Sequence, residues 1–181
     1  MVGCSAALAA LMLVGCVSMA SVPAPEIPAS LQPGKNERVL AVLRAAGVQI
    51  YECRTKADEA NSHEWAFVAP EADLFDRHGK RIGKHYAGPH WEAADGSRIF
   101  ASVKARVESP SPEAIPWLLL TARSAGPNGS FSKVSSILRI NTIGGMQPRG
   151  GCDAGSEGAK ARVKYSADYY LLVRTATQRA E

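Results

Sequence analysis

The feature that most constrains this chain is a succession of short β-branched and aromatic runs between residues 48 and 174, each closed by a turn signal. Val48 to Cys53 and Glu64 to Val68 alternate apolar with polar residues, the two-residue period of a strand with one buried face. Asp73 to Asp76 leads into a turn at Arg77-His78-Gly79-Lys80, and the chain returns through Arg81 to Tyr86. A second turn at Asp95-Gly96 precedes a longer run from Arg98 to Val107. Trp117 to Arg123 is strongly apolar, Gly126-Pro127-Asn128-Gly129 turns it, and Phe131 to Asn141 returns. Gly144, Gly145, Gly150 and Gly151 predict a flexible loop before Cys152, after which Ala161 to Tyr165 and Asp168 to Arg174 read as strands.

One segment fits two periods. In Asn36 to Gly47 the residues Val39, Leu40, Val42, Leu43 and Ala46 fall at helical spacing behind a possible Asn36 cap. The same residues suit a strand, with Leu40, Val42 and Arg44 on one face and Gly47 as a bulge running on into Val48. Eight or more short strands predict an all-β fold, an antiparallel sandwich or barrel-like domain with at most a short helix.

Residues 1 to 25 hold no Lys, Arg, Asp or Glu, and the apolar run from Val2 to Val14 is shorter than the roughly 20 residues a spanning helix needs. It reads as the apolar core of an export signal, although the positive charge usual before such a core is missing. Leu13-Val14-Gly15-Cys16 predicts a lipoprotein site over residues 1–16, with Cys16 as the acylated new N-terminus. Cleavage after Ala20, at Ser18-Met19-Ala20, is the alternative. Prolines at 23, 25, 28 and 33 make residues 17–34 a tether of extended polyproline type, with a single β-rich domain over residues 35–181. The leader points to a bacterial cell-envelope lipoprotein, or a secreted protein, whose membrane contact is an N-terminal lipid anchor.

A domain of this length has room for one proper core. Lys plus Arg number 21 against 17 Asp plus Glu, and the signs are interspersed rather than gathered into a basic stripe, so nucleic acid is not an expected partner. Of four cysteines, Cys4 and Cys16 fall in the leader, which leaves Cys53 and Cys152 in the domain. In an oxidising compartment these two are expected to bridge, since a metal site would need further Cys or His partners nearby.

The chain lacks a nucleophile elbow, a phosphate-cradling glycine loop and the common zinc and calcium patterns. No cofactor or metal is expected. Its densest polar and aromatic cluster is His85-Tyr86-Ala87-Gly88-Pro89-His90-Trp91-Glu92, followed by Asp95. On a functional reading His85, His90 and Glu92 supply ligands or an acid/base pair, while Tyr86 and Trp91 floor a groove. On a structural reading Gly88-Pro89 turns the chain, Trp91 packs in the core and His85 hydrogen-bonds on a strand. His63 and His78 sit among polar loop residues and read as solvent-exposed. In Asp168-Tyr169-Tyr170 adjacent tyrosines face opposite sides of a strand, so one reaches a pocket or the core. Asn128-Gly129-Ser130 matches a glycosylation acceptor but reads as a turn.

Several blocks taken together carry a family resemblance: Gly47 to Cys53, Ala69-Pro70-Glu71-Ala72 with Leu74-Phe75-Asp76, His85 to Pro89 with Trp91-Glu92, Asp95-Gly96-Ser97, Ile115-Pro116-Trp117, Asn141-Thr142 with Gly144-Gly145, Gly151-Cys152-Asp153 and Tyr165 to Tyr170. The chain resembles the DUF3455 family over about Lys35 to Val173. That resemblance implies a typically secreted protein of bacteria or fungi and supplies no catalytic residues to carry over. A malate dehydrogenase label used for some members finds no support here, because the dinucleotide-binding glycine fingerprint and its β-α framework are missing.

Two functions are therefore expected to compete. One is a non-catalytic extracytoplasmic domain that binds a small molecule, a glycan or an envelope component. The other is a hydrolase or metal-dependent enzyme centred on His85 and Glu92, with His90 or Asp168 assisting. Convergence of His85, Glu92 and Asp168 in one pocket discriminates between them.

Overall fold

The computed structural model describes residues 26–175. The leader, both cleavage positions and Cys16 lie outside the described residues.

Eight strands follow one another in the chain: β1 Glu37–Lys56, β2 Glu59–Phe75, β3 Arg81–Tyr86, β4 His90–Ala93, β5 Arg98–Val107, β6 Trp117–Ser124, β7 Val134–Gly144 and β8 Lys160–Arg174. Each pairs antiparallel with its neighbour, and β8 returns to pair with β1, closing a barrel rather than a two-sheet sandwich. Closure leaves few open sheet edges and gives every strand an inner and an outer face. The only helical turns among the described residues are short 3-10 turns at Ala29–Leu31 and Ala154–Ser156.

Two-residue alternation decides what fills the barrel. Leu43 and Ala45 of β1, Ala72 and Leu74 of β2, Trp91 and Ala93 of β4, Ile99 and Ala101 of β5, Leu120 and Ala122 of β6, Ile137 of β7, and Tyr165, Ala167, Tyr169 and Leu171 of β8 form one buried cluster. A second cluster lies on the outer face, where Leu119, Leu138, Ile140 and Leu172 receive Leu31 from the N-terminal 3-10 turn, with Ile27 packed alongside. Leu31 is fully buried. The end of the proline-rich segment is thus part of the domain's packing, ahead of the Lys35 start that proline spacing suggested, because an apolar outer face of β6 to β8 needs a cover.

Asn36 to Gly47 is strand, not helix: its residues pair with β8 from Glu37↔Arg174 to Gly47↔Tyr165. Tertiary pairing overrides the helical spacing. Gly47 is not a bulge either. It pairs with Ala72 across β1 and β2, and a Cβ there would stand 2.1 Å from the Glu71 carbonyl oxygen, so its missing side chain permits a close crossing of backbones. The register shifts of β1 fall instead at Val39/Ala41, Ile50/Tyr51 and Thr55/Lys56. β4 is a separate short strand inside the aromatic cluster, and Ala161 to Arg174 forms one strand rather than two.

Candidate functional site

Strand alternation divides the His85 to Asp95 cluster between two faces. His85 pairs with Trp91 across β3 and β4, and both side chains point inward; their rings stack at 3.9 Å and meet Tyr169 edge-on. Tyr86, His90 and Glu92 point outward. There the Tyr86 hydroxyl donates to Glu92 at 2.6 Å, Lys84 and Arg98 flank the same carboxylate, and His90 stacks on Tyr86 while donating from Nδ1 to the Ala87 carbonyl. The bond from Tyr86, with the neighbouring cations, holds the Glu92 carboxyl below the usual range. Asp95 belongs to neither group. It ties its own turn to the one after β6, accepting from Ser97 and from both the amide and hydroxyl of Ser130, which holds it far below the usual carboxylate range.

His85, Glu92 and Asp168 consequently do not converge. Asp168 points outward and accepts from Asn141 at 2.9 Å. His85 is buried and donates from Nδ1 to the His90 carbonyl at 2.8 Å, because a carbonyl only accepts. Burial, aided by nearby Arg139, drives its pKa down to about 3, so the ring is neutral at neutral pH. Trp91 is likewise buried in the barrel and unavailable on an outer groove. His63 approaches Glu157 and His78 stays exposed on the β2–β3 turn. No group of three or more His, Cys, Asp or Glu arranged to hold a metal occurs among the described residues.

The residues that do converge were mostly outside the sequence cluster. Gln49 Nε2, Trp91 Nε1, Tyr165 Oη and Tyr169 Oη are buried without a hydrogen-bond partner among the described residues, and all four belong to inward positions of the barrel. The Tyr165 hydroxyl adjoins Tyr169 and the Gln49 amide, yet none of the three closes a bond of ordinary geometry. Leaving such a group unsatisfied costs about 1–3 kcal/mol. Arg139 joins them: between inward Ile137 and outward Ile140, it pairs with Tyr169 on β8 and Leu118 on β6, both of which face the inner cluster. Its guanidinium donates to the Pro116 carbonyl at 2.8 and 3.2 Å and influences Tyr51, His85 and Tyr165 electrostatically.

The segment from Gly144 to Cys152 roofs this end of the barrel. Tyr51 donates to the Gly145 carbonyl at 2.6 Å, the Ile115 amide to Gly144, and the Trp65 indole to the Gly150 carbonyl at 2.9 Å. Arg149 meets Glu113, and Cys152 is disulfide-bonded to Cys53 at the inward side of β1. Gly145 has φ +85°, and a Cβ there would lie 2.8 Å from Tyr165 Cβ and 3.1 Å from Gln49 Cγ. Only glycine lets the roof sit this close to the polar interior. The glycine run that read as a flexible loop is therefore fastened at several points. A groove of about 1310 Å³ lies apart from this, between the N-terminal half of β1 and the β2–β3 turn, and is lined mainly by apolar residues such as Val39, Leu40, Phe75 and Ile82.

The molecule is a closed, antiparallel β-barrel whose mainly apolar interior holds a few unpaired polar groups beneath a disulfide-fastened roof. The chain belongs to the DUF3455 family, whose description is a protein of unknown function: the family model matches residues 33–173 and covers most of the chain. No curated protein matches it.

Proposed function

We propose that this domain is a non-catalytic binding protein of the bacterial cell envelope whose ligand is a small polar molecule held in the barrel interior. One observation carries the reading: of the five buried polar side-chain atoms without partners among the described residues, four, on Gln49, Trp91, Tyr165 and Tyr169, lie around one interior beside Arg139, the fifth being Trp117 Nε1 in the outer cluster. Buried polar groups are paired in nearly all folded proteins, so a cluster of unpaired ones calls for a ligand or ordered water. The roof from Gly144 to Cys152 is the entrance. It opens by releasing the Tyr51 and Trp65 hydrogen bonds while the disulfide keeps its far end attached.

A thermal-shift screen of polar small molecules on the oxidised domain tests this, because ligand that binds only the folded state raises the melting temperature. A hit is expected to shift it by several degrees, and Tyr165→Phe and Gln49→Leu are each expected to weaken its affinity about tenfold, the value of one good hydrogen bond. A screen without hits, or a hit indifferent to both substitutions, rejects the interior site.

The envelope location rests on Leu13-Val14-Gly15-Cys16 and the proline tether. The Cys53 to Cys152 bond fits an oxidising compartment. The full chain, expressed with its leader in a bacterial host, is expected in the membrane fraction with acyl chains on Cys16. Mature protein beginning at Ser21 and free of lipid would instead indicate ordinary secretion.

A further inference from the structure

Building on the interior site, we infer that its ligand carries a carboxylate, which Arg139 receives while Tyr165, Tyr169, Gln49 and Trp91 donate to the remaining acceptors.

The first ground is the sign of the orphaned groups. Gln49 Nε2 and Trp91 Nε1 are donors only, and the two tyrosine hydroxyls can donate. Two of the four orphaned atoms therefore need an acceptor and the two hydroxyls take either role, so a ligand bearing acceptors meets all four. His85 supplies the exception: with Nδ1 donating to the His90 carbonyl, its neutral ring leaves Nε2 as an acceptor, suited to a hydroxyl on the same ligand.

The second ground is charge. Arg139 forms no ion pair with any described residue; its observed partner is the Pro116 carbonyl, which is neutral. Among the described residues, the inward positions of β1 and β8 carry no aspartate or glutamate. On β1 they are Leu43, Ala45, Gln49, Tyr51 and Cys53, and on β8 they are Tyr165, Ala167, Tyr169 and Leu171, while Glu71, Glu92 and Asp168 all face out. Arg139 is half-buried, and water satisfies stranded donors but supplies no counter-charge to its guanidinium. A carboxylate does both, and it matches the planar fork of arginine.

The test compares acid and amide partners of equal shape on the wild-type oxidised domain: acetate with acetamide, benzoate with benzamide, succinate with succinamide. At least one acid is expected to bind tenfold or more tightly than its amide by calorimetry, and to raise the melting temperature where the amide does not. Arg139→Gln is expected to abolish that preference and Arg139→Lys to keep part of it, with circular dichroism confirming that each variant is folded. If Arg139→Gln does not fold, the acid and amide comparison in the wild type decides alone. Equal binding of acids and amides, with affinity lost in Tyr165→Phe, would overturn the carboxylate while leaving the interior site standing. No binding of any probe, with the donors met by water only, would overturn both.

Discussion

Replacing both Cys53 and Cys152 by alanine is expected to lower the unfolding free energy by about 2–5 kcal/mol, the usual loss when a native disulfide is removed from a small secreted domain. The bond joins residues 99 apart, near the ends of the barrel-forming sequence, so it restricts the unfolded chain over most of its length. In the chain-entropy description a loop of that size stabilises by up to about 4.7 kcal/mol. Cys53 is fully buried, so alanine also leaves part of that space unfilled. Chemical denaturation of oxidised wild type and double variant, read by tryptophan fluorescence, measures the difference; a loss below about 1 kcal/mol would show that the roof's hydrogen bonds hold the barrel closed without it. The same variant tests the entrance. With the bond gone, amide protons of residues 144 to 152 are expected to exchange faster than those of β8, because local opening no longer keeps one end fixed.

The second large effect is pH-dependent. His85 is neutral in the folded barrel because burial lowers its pKa from 6.5 to about 3. Between those values the unfolded chain binds a proton there that the native state does not. Stability therefore rises with pH across that window, and it is lost as pH falls from about 6.5 toward 3, at up to about 1.4 kcal/mol per pH unit. Above pH 6.5 this contribution is fully present. Carboxylates held below their ordinary range, among them Glu37, Glu71, Asp76, Glu92 and Asp95, add an acid loss of the same sign but at lower pH. Comparison with His85→Gln, which cannot titrate, isolates the histidine. Between pH 6.5 and 5, above most of the carboxylate range, the variant's unfolding free energy is expected to be nearly flat while the wild type's falls. Parallel slopes for the two proteins would show that His85 is not held neutral.

Both effects arise where strands bring distant residues together, and that marks the boundary of what the chain reveals in one dimension. Alternation at Val48 to Cys53 and Glu64 to Val68, with the apolar run from Trp117 to Arg123 and intervening Gly, Pro and Asn turns, determined an antiparallel all-β domain, because a half-buried strand writes its period of two locally. The pairing of Cys53 with Cys152 was legible from counting thiols outside the leader, and the structure contains that bond. Sequence blocks also sufficed for the family.

Closure of the sheet was not legible. Whether β8 returns to β1 depends on accumulated twist and stagger, which no single strand encodes. The Asn36 to Gly47 segment shows the same limit, since its spacing suits a helix as well as a strand and the pairing offered by β8, and by β2 from Arg44 onward, made it strand. The site was divided for a related reason. Proximity in sequence grouped His85, Tyr86, His90, Trp91, Glu92 and Asp95, whereas a strand sends neighbours to opposite faces, so His85 and Trp91 went inside and Tyr86, His90 and Glu92 went out. The interior that gathered His85 and Trp91 also gathered Gln49, Arg139, Tyr165 and Tyr169 from β1, β7 and β8. Of these only the Asp168-Tyr169-Tyr170 alternation gave a local signal, namely that one tyrosine faces inward. The sequence by itself determined which residues alternate; the closed barrel decided which of them share an interior, because burial depends on the strands across the ring and not on neighbours along the chain.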